Sequence, residues 1–165
     1  MKVLQRWALP IAALALASCG AHAASPIKAC TNMAARSGIG VQVGKDLAEK
    51  VRSAKLTVCQ DGDCRQVSVQ LRPSTTSIDK GCDGGVCSAE ASPTGERHGF
   101  AYLPDLSTEK ARVHIVLRGS GDATVLHRRV TVDPELVYPN GPDCGGEAPQ
   151  AQLSITRTDD GVRVT

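Results

Sequence analysis

The 165-residue chain carries nineteen Lys and Arg against seventeen Asp and Glu. Lys2 and Arg6 belong to an export segment; without them seventeen cations meet seventeen anions, so electrostatic attraction to nucleic acid is not expected. With Trp7 in the same segment, only Phe100, Tyr102 and Tyr138 remain as aromatics, too few to build stacking platforms for bases or sugars.

Residues 1–18 read as a signal peptide: two cations precede an apolar run, 7–17, that is too short to span a bilayer. Leu16-Ala17-Ser18-Cys19 resembles the lipobox of bacterial lipoproteins. That resemblance implies a diacylglycerol on the Cys19 thiol, Cys19 as the first mature residue, and an extracytoplasmic protein anchored to the cell membrane. Ala21-His22-Ala23 offers the alternative of ordinary signal-peptidase cleavage before Ala24 and a free secreted protein. Residues 19–29 form the lipidated Cys and a short spacer of small residues, and 30–165 have the size of one domain. No later segment approaches the ~20 apolar residues of a membrane helix.

Apart from Cys19 there are six cysteines, Cys30, Cys59, Cys64, Cys82, Cys87 and Cys144, an even number suited to disulfides in an oxidising compartment. The chain then runs as short strands and turns. Residues 39–43 alternate as a first strand. Asp46-Leu47-Ala48-Glu49 offers a capping acid with a Glu three residues on, and Leu47 and Val51 lie four apart, predicting a short helix. Residues 55–71 alternate on both sides of Asp61-Gly62, a favoured two-residue hairpin turn. Pairing Gln60 with Asp63 puts Cys59 opposite Cys64 on the polar face, at a non-hydrogen-bonded pair close enough for a disulfide.

Between 72 and 97 the composition shifts to Pro, Ser, Thr and Gly, which predicts a long loop pinned at its middle by Cys82 and Cys87. By elimination Cys30 bonds Cys144. Strands at 100–103, 112–118, 123–132, 151–157 and 162–164, with Gly-rich turns between several of them, complete the pattern. The fold class is all-β: an antiparallel β-sandwich, immunoglobulin-like in topology, with one short helix and one long disulfide-pinned loop. A core Trp packed on an inter-sheet disulfide, the mark of a true immunoglobulin domain, is not encoded.

Tyr138-Pro139-Asn140-Gly141-Pro142-Asp143-Cys144-Gly145-Gly146, followed by Gln150-Ala151, resembles the C-terminal signature of uncharacterised small exported lipoproteins of high-GC bacteria. Cys30-Thr31 before the Gly38-Ile39-Gly40 strand resembles the same group. The resemblance implies export and a β-sandwich and supplies no catalytic residue.

Gly119-Ser120-Gly121-Asp122 lacks the Gly-x-Ser-x-Gly elbow and reads as a hairpin turn. With no nucleophile, base and orienting group that can be named together, an enzyme is not expected, nor is a cofactor. The acidic turns Asp61-Gly62-Asp63, Asp79 with Asp83, and Asp159-Asp160-Gly161 have oxygen ligands for calcium, but such turns also use Asp for local backbone bonding. Cys82 and Cys87 stand too far apart for the usual redox spacing, so a structural bridge is expected. A symmetric turn at 119–122 would pair His114 with His127, two imidazoles as candidate metal ligands, with His98 as a third only if the fold brings it near.

The function these features support is a membrane-tethered binding or structural module of the cell envelope, partnered by the membrane and by an envelope protein. The alternatives are an exported metal-binding protein and a small disulfide-rich inhibitor of an extracellular protease.

Overall fold

The computed structural model describes residues 30–159 and 161–165. The signal peptide, Cys19 and both candidate cleavage sites lie outside the described residues. The chain divides into units Met1–Cys30 and Thr31–Thr165, and the second contains two β-sheets.

The strands in chain order are β1 (Gly38–Val43), β2 (Ser53–Gln60), β3 (Asp63–Gln70), β4 (Arg72–Asp83), β5 (Val86–Tyr102), β6 (Ala111–Arg118), β7 (Thr124–Val132), β8 (Glu135–Val137), β9 (Ala148–Thr158) and β10 (Gly161–Val164), with a one-turn helix α1 (Lys45–Ala48) after β1. The first sheet runs β10-β9-β1-β5-β4, with β8 also paired to β9; the second runs β3-β2-β6-β7.

Period-two alternation builds the core between the sheets. Ile39, Val41 and Val43 of β1, with Leu153 and Ile155 of β9, form the inner face of the first sheet; Ala54, Leu56 and Val58 of β2, with Val113, Ile115 and Leu117 of β6, form that of the second. The core cluster is aliphatic throughout, and Phe100, Tyr102 and Tyr138 are all on the surface.

The β-sandwich, the short helix and the Cys59–Cys64 and Cys82–Cys87 disulfides agree with the sequence reading. The immunoglobulin-like topology is not confirmed. An immunoglobulin sheet keeps its first strand at an edge, whereas β1 lies between β5 and β9 and pairs with β9 in parallel. The other strand pairs are antiparallel.

The β2–β3 register is as derived from the turn, with Gln60 opposite Asp63 and Cys59 opposite Cys64. Asp61 and Gly62 have φ of 50° and 92°, the left-handed conformation that a type I′ turn requires at both central positions. The helix starts differently from expectation. Gly44 is its N-cap and no side chain caps it, so Asp46 lies inside the first turn; Leu47 and Val51 are buried as their spacing implied.

The largest departure is the segment between 72 and 97, read as a loop and found as a β-ribbon. β4 and β5 pair from Arg72 opposite His98 out to Asp83 opposite Val86, with irregularities after Pro73 and Asp79. Polar, small and β-branched residues form a ladder here because backbone pairing needs no apolar face. Every residue from 75 to 91 is exposed. The root is fixed by Arg97, whose guanidinium donates to the carbonyls of Ala48 (2.9 Å) and Leu71 (2.8 Å), joining α1 to the point where the chain passes from β3 into β4.

Candidate functional site

Strand register assigns the outward positions of the second sheet. Since Ala54, Leu56 and Val58 point inward, Ser53, Lys55, Thr57 and Cys59 of β2 point outward, as do Arg112, His114, Val116 and Arg118 of β6. On β7, Arg129 is opposite His114 and His127 is opposite Val116. On β3, Cys64, Gln66 and Ser68 are opposite Cys59, Thr57 and Lys55. One face thus presents Lys55, Arg112, Arg118, Arg129 and two imidazoles, with no carboxylate at any of these strand positions.

The two histidines come together, though not in the expected register. The turn between Arg118 and Thr124 has five residues rather than four, with Gly121 and Asp122 at positive φ, and it adjoins a register irregularity between Leu117 and Arg118. The pairing therefore shifts by two residues, and His114 faces Arg129 rather than His127. A shift of two preserves the face. The rings become diagonal neighbours in an edge-on arrangement with centroids 4.4 Å apart. The turn itself is a short 3-10 segment, Ser120–Asp122, in which Arg118 donates to the Asp122 carbonyl.

His114 stands in a concavity of about 490 Å³ lined by Thr57, Cys59, Arg112, Arg129 and Thr131 among others. Its Nε2 is shielded from solvent and has no hydrogen-bond partner, an uncommon state for a polar atom. Burial, reinforced by the neighbouring basic groups His127 and Arg129, holds its pKa below the ordinary imidazole value. His98 is not brought near: it lies on β5 of the first sheet, where Ser74 Oγ meets its Nδ1 at 2.9 Å. Among the described residues no three His, Cys, Asp or Glu side chains converge as a metal site, and the arginines beside the histidines favour an anion over a dication.

The remaining candidates are placed as follows. Cys59 is bonded to Cys64 and Cys82 to Cys87, with Cα–Cα distances of 4.1 and 3.9 Å. Cys30 and Cys144 are each disulfide-bonded. Asp61 and Asp63 border a second concavity with Asp105, whose carboxylate is engaged by Arg65 at 2.5 Å. Asp79 accepts from the Gly81 backbone at 2.7 Å, the local role that turn aspartates commonly have.

The Tyr138–Gly146 signature forms a clasp on the start of the domain. Asn140 donates to the Met33 carbonyl at 2.5 Å and meets the Thr31 hydroxyl, Ala35 N–H donates to Gly146 at 2.7 Å, and Gln150 donates to the Arg36 carbonyl at 2.9 Å. A Cβ at Gly146 would meet the Met33 carbonyl oxygen at 2.6 Å, so this close approach requires glycine. The signature therefore has a structural role, holding residues 31–36 against the loop before β9.

The cationic face went unread in the sequence because its arginines and lysine are spread over three strands of a chain with balanced charge. The available signal was the alternation of residues 112–118, which places Arg112, His114 and Arg118 on one side. Comparison with known families, curated proteins and solved structures yields no match. The disulfides mark an exported protein, and no helix among the described residues is long and apolar enough to cross a membrane.

Proposed function

We propose that the chain is a lipid-anchored binding module of the bacterial cell envelope, tethered through Cys19 and engaging an envelope protein through the β4–β5 ribbon. The observation that carries this reading is the exposure of residues 75–91 on both faces of a paired ribbon. A ribbon in this state has ordered its backbone without burying side chains. Its backbone is already paired, so meeting a partner adds little further backbone entropic cost. Ile78 and Val86, 45% and 72% exposed, are its apolar contacts, and the Cys82–Cys87 bond holds the tip. Binding rather than catalysis is the activity proposed.

The test is photo-crosslinking in intact cells from probes at positions 78 and 86, combined with fatty-acid labelling and N-terminal mass spectrometry. The expected result is a light-dependent adduct with one discrete protein, lost when residues 76–91 are replaced by a two-residue turn, together with lipid on Cys19. Absence of an adduct overturns the ribbon as a contact site. A mature protein that starts at Ala24 without lipid makes it a secreted protein. An adduct with a protease assigns the tip to inhibition.

A further inference from the structure

We propose that the outer face of the second sheet binds a phosphate group, held between Arg112 and Arg129 above His114. The positions follow from register: Arg129 is directly opposite His114, and Arg112 precedes it by two residues on the same face, about 7 Å away. Thr57, opposite His114 on β2, and Thr131, opposite Arg112 on β7, add hydroxyl donors at the margins of the concavity. Guanidinium groups on both sides suit a tetrahedral oxyanion, because each can present two N–H donors to it.

Three observations point to an anion. Lys55, Arg112, Arg118 and Arg129 share the face without a carboxylate among its outward strand positions. His114 Nε2 has no hydrogen-bond partner. The concavity, about 490 Å³, is larger than a phosphate and leaves room for the group that bears it. The charged and titratable groups that share this face with His114 are Lys55 of β2, Arg112 and Arg118 of β6, and His127 and Arg129 of β7; Cys59 and Cys64 are oxidised. All of these that titrate or carry charge are basic. Burial and the basic neighbours both disfavour the imidazolium; an anion placed among them leaves the burial but offsets the repulsion and attracts the charged ring, so binding favours proton uptake and strengthens as pH falls.

The shared chemistry is a phosphate group, whether in a phospholipid headgroup or in a free or polymeric phosphate. This inference does not depend on the ribbon or on the lipid anchor. The experiment follows the His114 ring resonances of the full exported chain in nanodiscs. In phosphatidylcholine discs, inorganic phosphate is expected to give a saturable shift. Arg112→Gln with Arg129→Gln weakens it by at least roughly tenfold, the loss expected when charge-assisted contacts are removed. Arg157→Gln, an exposed cation on β9, leaves it unchanged.

Sulfate, whose charge is constant near neutrality, is expected to bind more tightly at low pH in wild type, and with a flatter profile in His114→Gln followed through the Arg112 and Arg129 side-chain resonances. A shift induced by phosphatidylglycerol discs, and competed by phosphate, assigns the ligand to lipid headgroups. A shift with phosphate alone assigns it to a free or polymeric source. Absence of a saturable shift in every arm, or equal weakening by Arg157→Gln, overturns the proposal. Should the double variant not fold, unchanged phosphate affinity in Arg129→Gln, an exposed side chain on edge strand β7, overturns it equally.

Discussion

The β2–β3 hairpin and the β4–β5 ribbon each close a disulfide between cysteines five positions apart, and only the first is part of the core. In β2–β3 the alternation sends Ala54, Leu56, Val58 and Val69 inward. In the ribbon beyond Thr75 the sequence is Ser, Thr, Asp, Lys, Glu, Ala, Gly and the bonded Cys82 and Cys87, with Ile78 and Val86 too far apart to make an apolar face, so neither face can be buried. The disulfide shapes the tip in both. Burial decides whether the tip belongs to the cooperative unit.

The largest effect expected from this contrast is in packing. Leu56→Ala removes a fully buried side chain from the centre of the sandwich and is expected to cost about 2–5 kcal/mol. Ile78→Ala, on the ribbon, is expected to change stability by less than about 0.5 kcal/mol. Denaturant unfolding of the two variants measures this directly, and comparable losses would show that the ribbon packs on something within the domain.

The disulfides sharpen the same point. Equal loop lengths give the two bonds the same entropic value in the chain model, about 2 kcal/mol. Cys59→Ser with Cys64→Ser should therefore lower global stability by about that amount. Cys82→Ser with Cys87→Ser should leave the melting temperature nearly unchanged and instead accelerate hydrogen exchange in residues 78–91, because the ribbon tip opens without the core. Equal melting shifts would place the tip inside the cooperative unit.

The smallest effect concerns pH. His114 has a folded pKa below the ordinary value of about 6.5. Between those two values the unfolded chain binds a proton that the folded one does not. The associated stability is complete above the unfolded pKa, declines as pH falls through the window, and levels off below the folded pKa. Wild type should lose melting temperature relative to His114→Gln as pH is lowered from about 7.5 to about 5. Parallel curves would show that His114 titrates as it does in the unfolded chain.

Local patterns carried much of the fold. The Asp61-Gly62 turn and the alternation around it determined the hairpin, its register and the Cys59–Cys64 bond, since a two-residue turn leaves one antiparallel pairing that keeps the apolar residues on one face. The β6–β7 hairpin resisted the same treatment: its longer turn admits more than one register, and the shift by two became visible only with left-handed Gly121 and Asp122 in place. The ribbon was hidden because paired strands without an apolar face leave no alternation to read.

The sequence by itself determined the pairing of neighbouring cysteines and the all-β character, because each depends on residues close together in the chain. Only the tertiary structure decided that β1 lies inside the first sheet and parallel to β9. It also decided that cations from β2, β6 and β7 share one outward face. Charge balance along a chain says nothing about charge separation in space; that separation arises when strands distant in sequence become neighbours and period-two alternation sends their basic residues the same way.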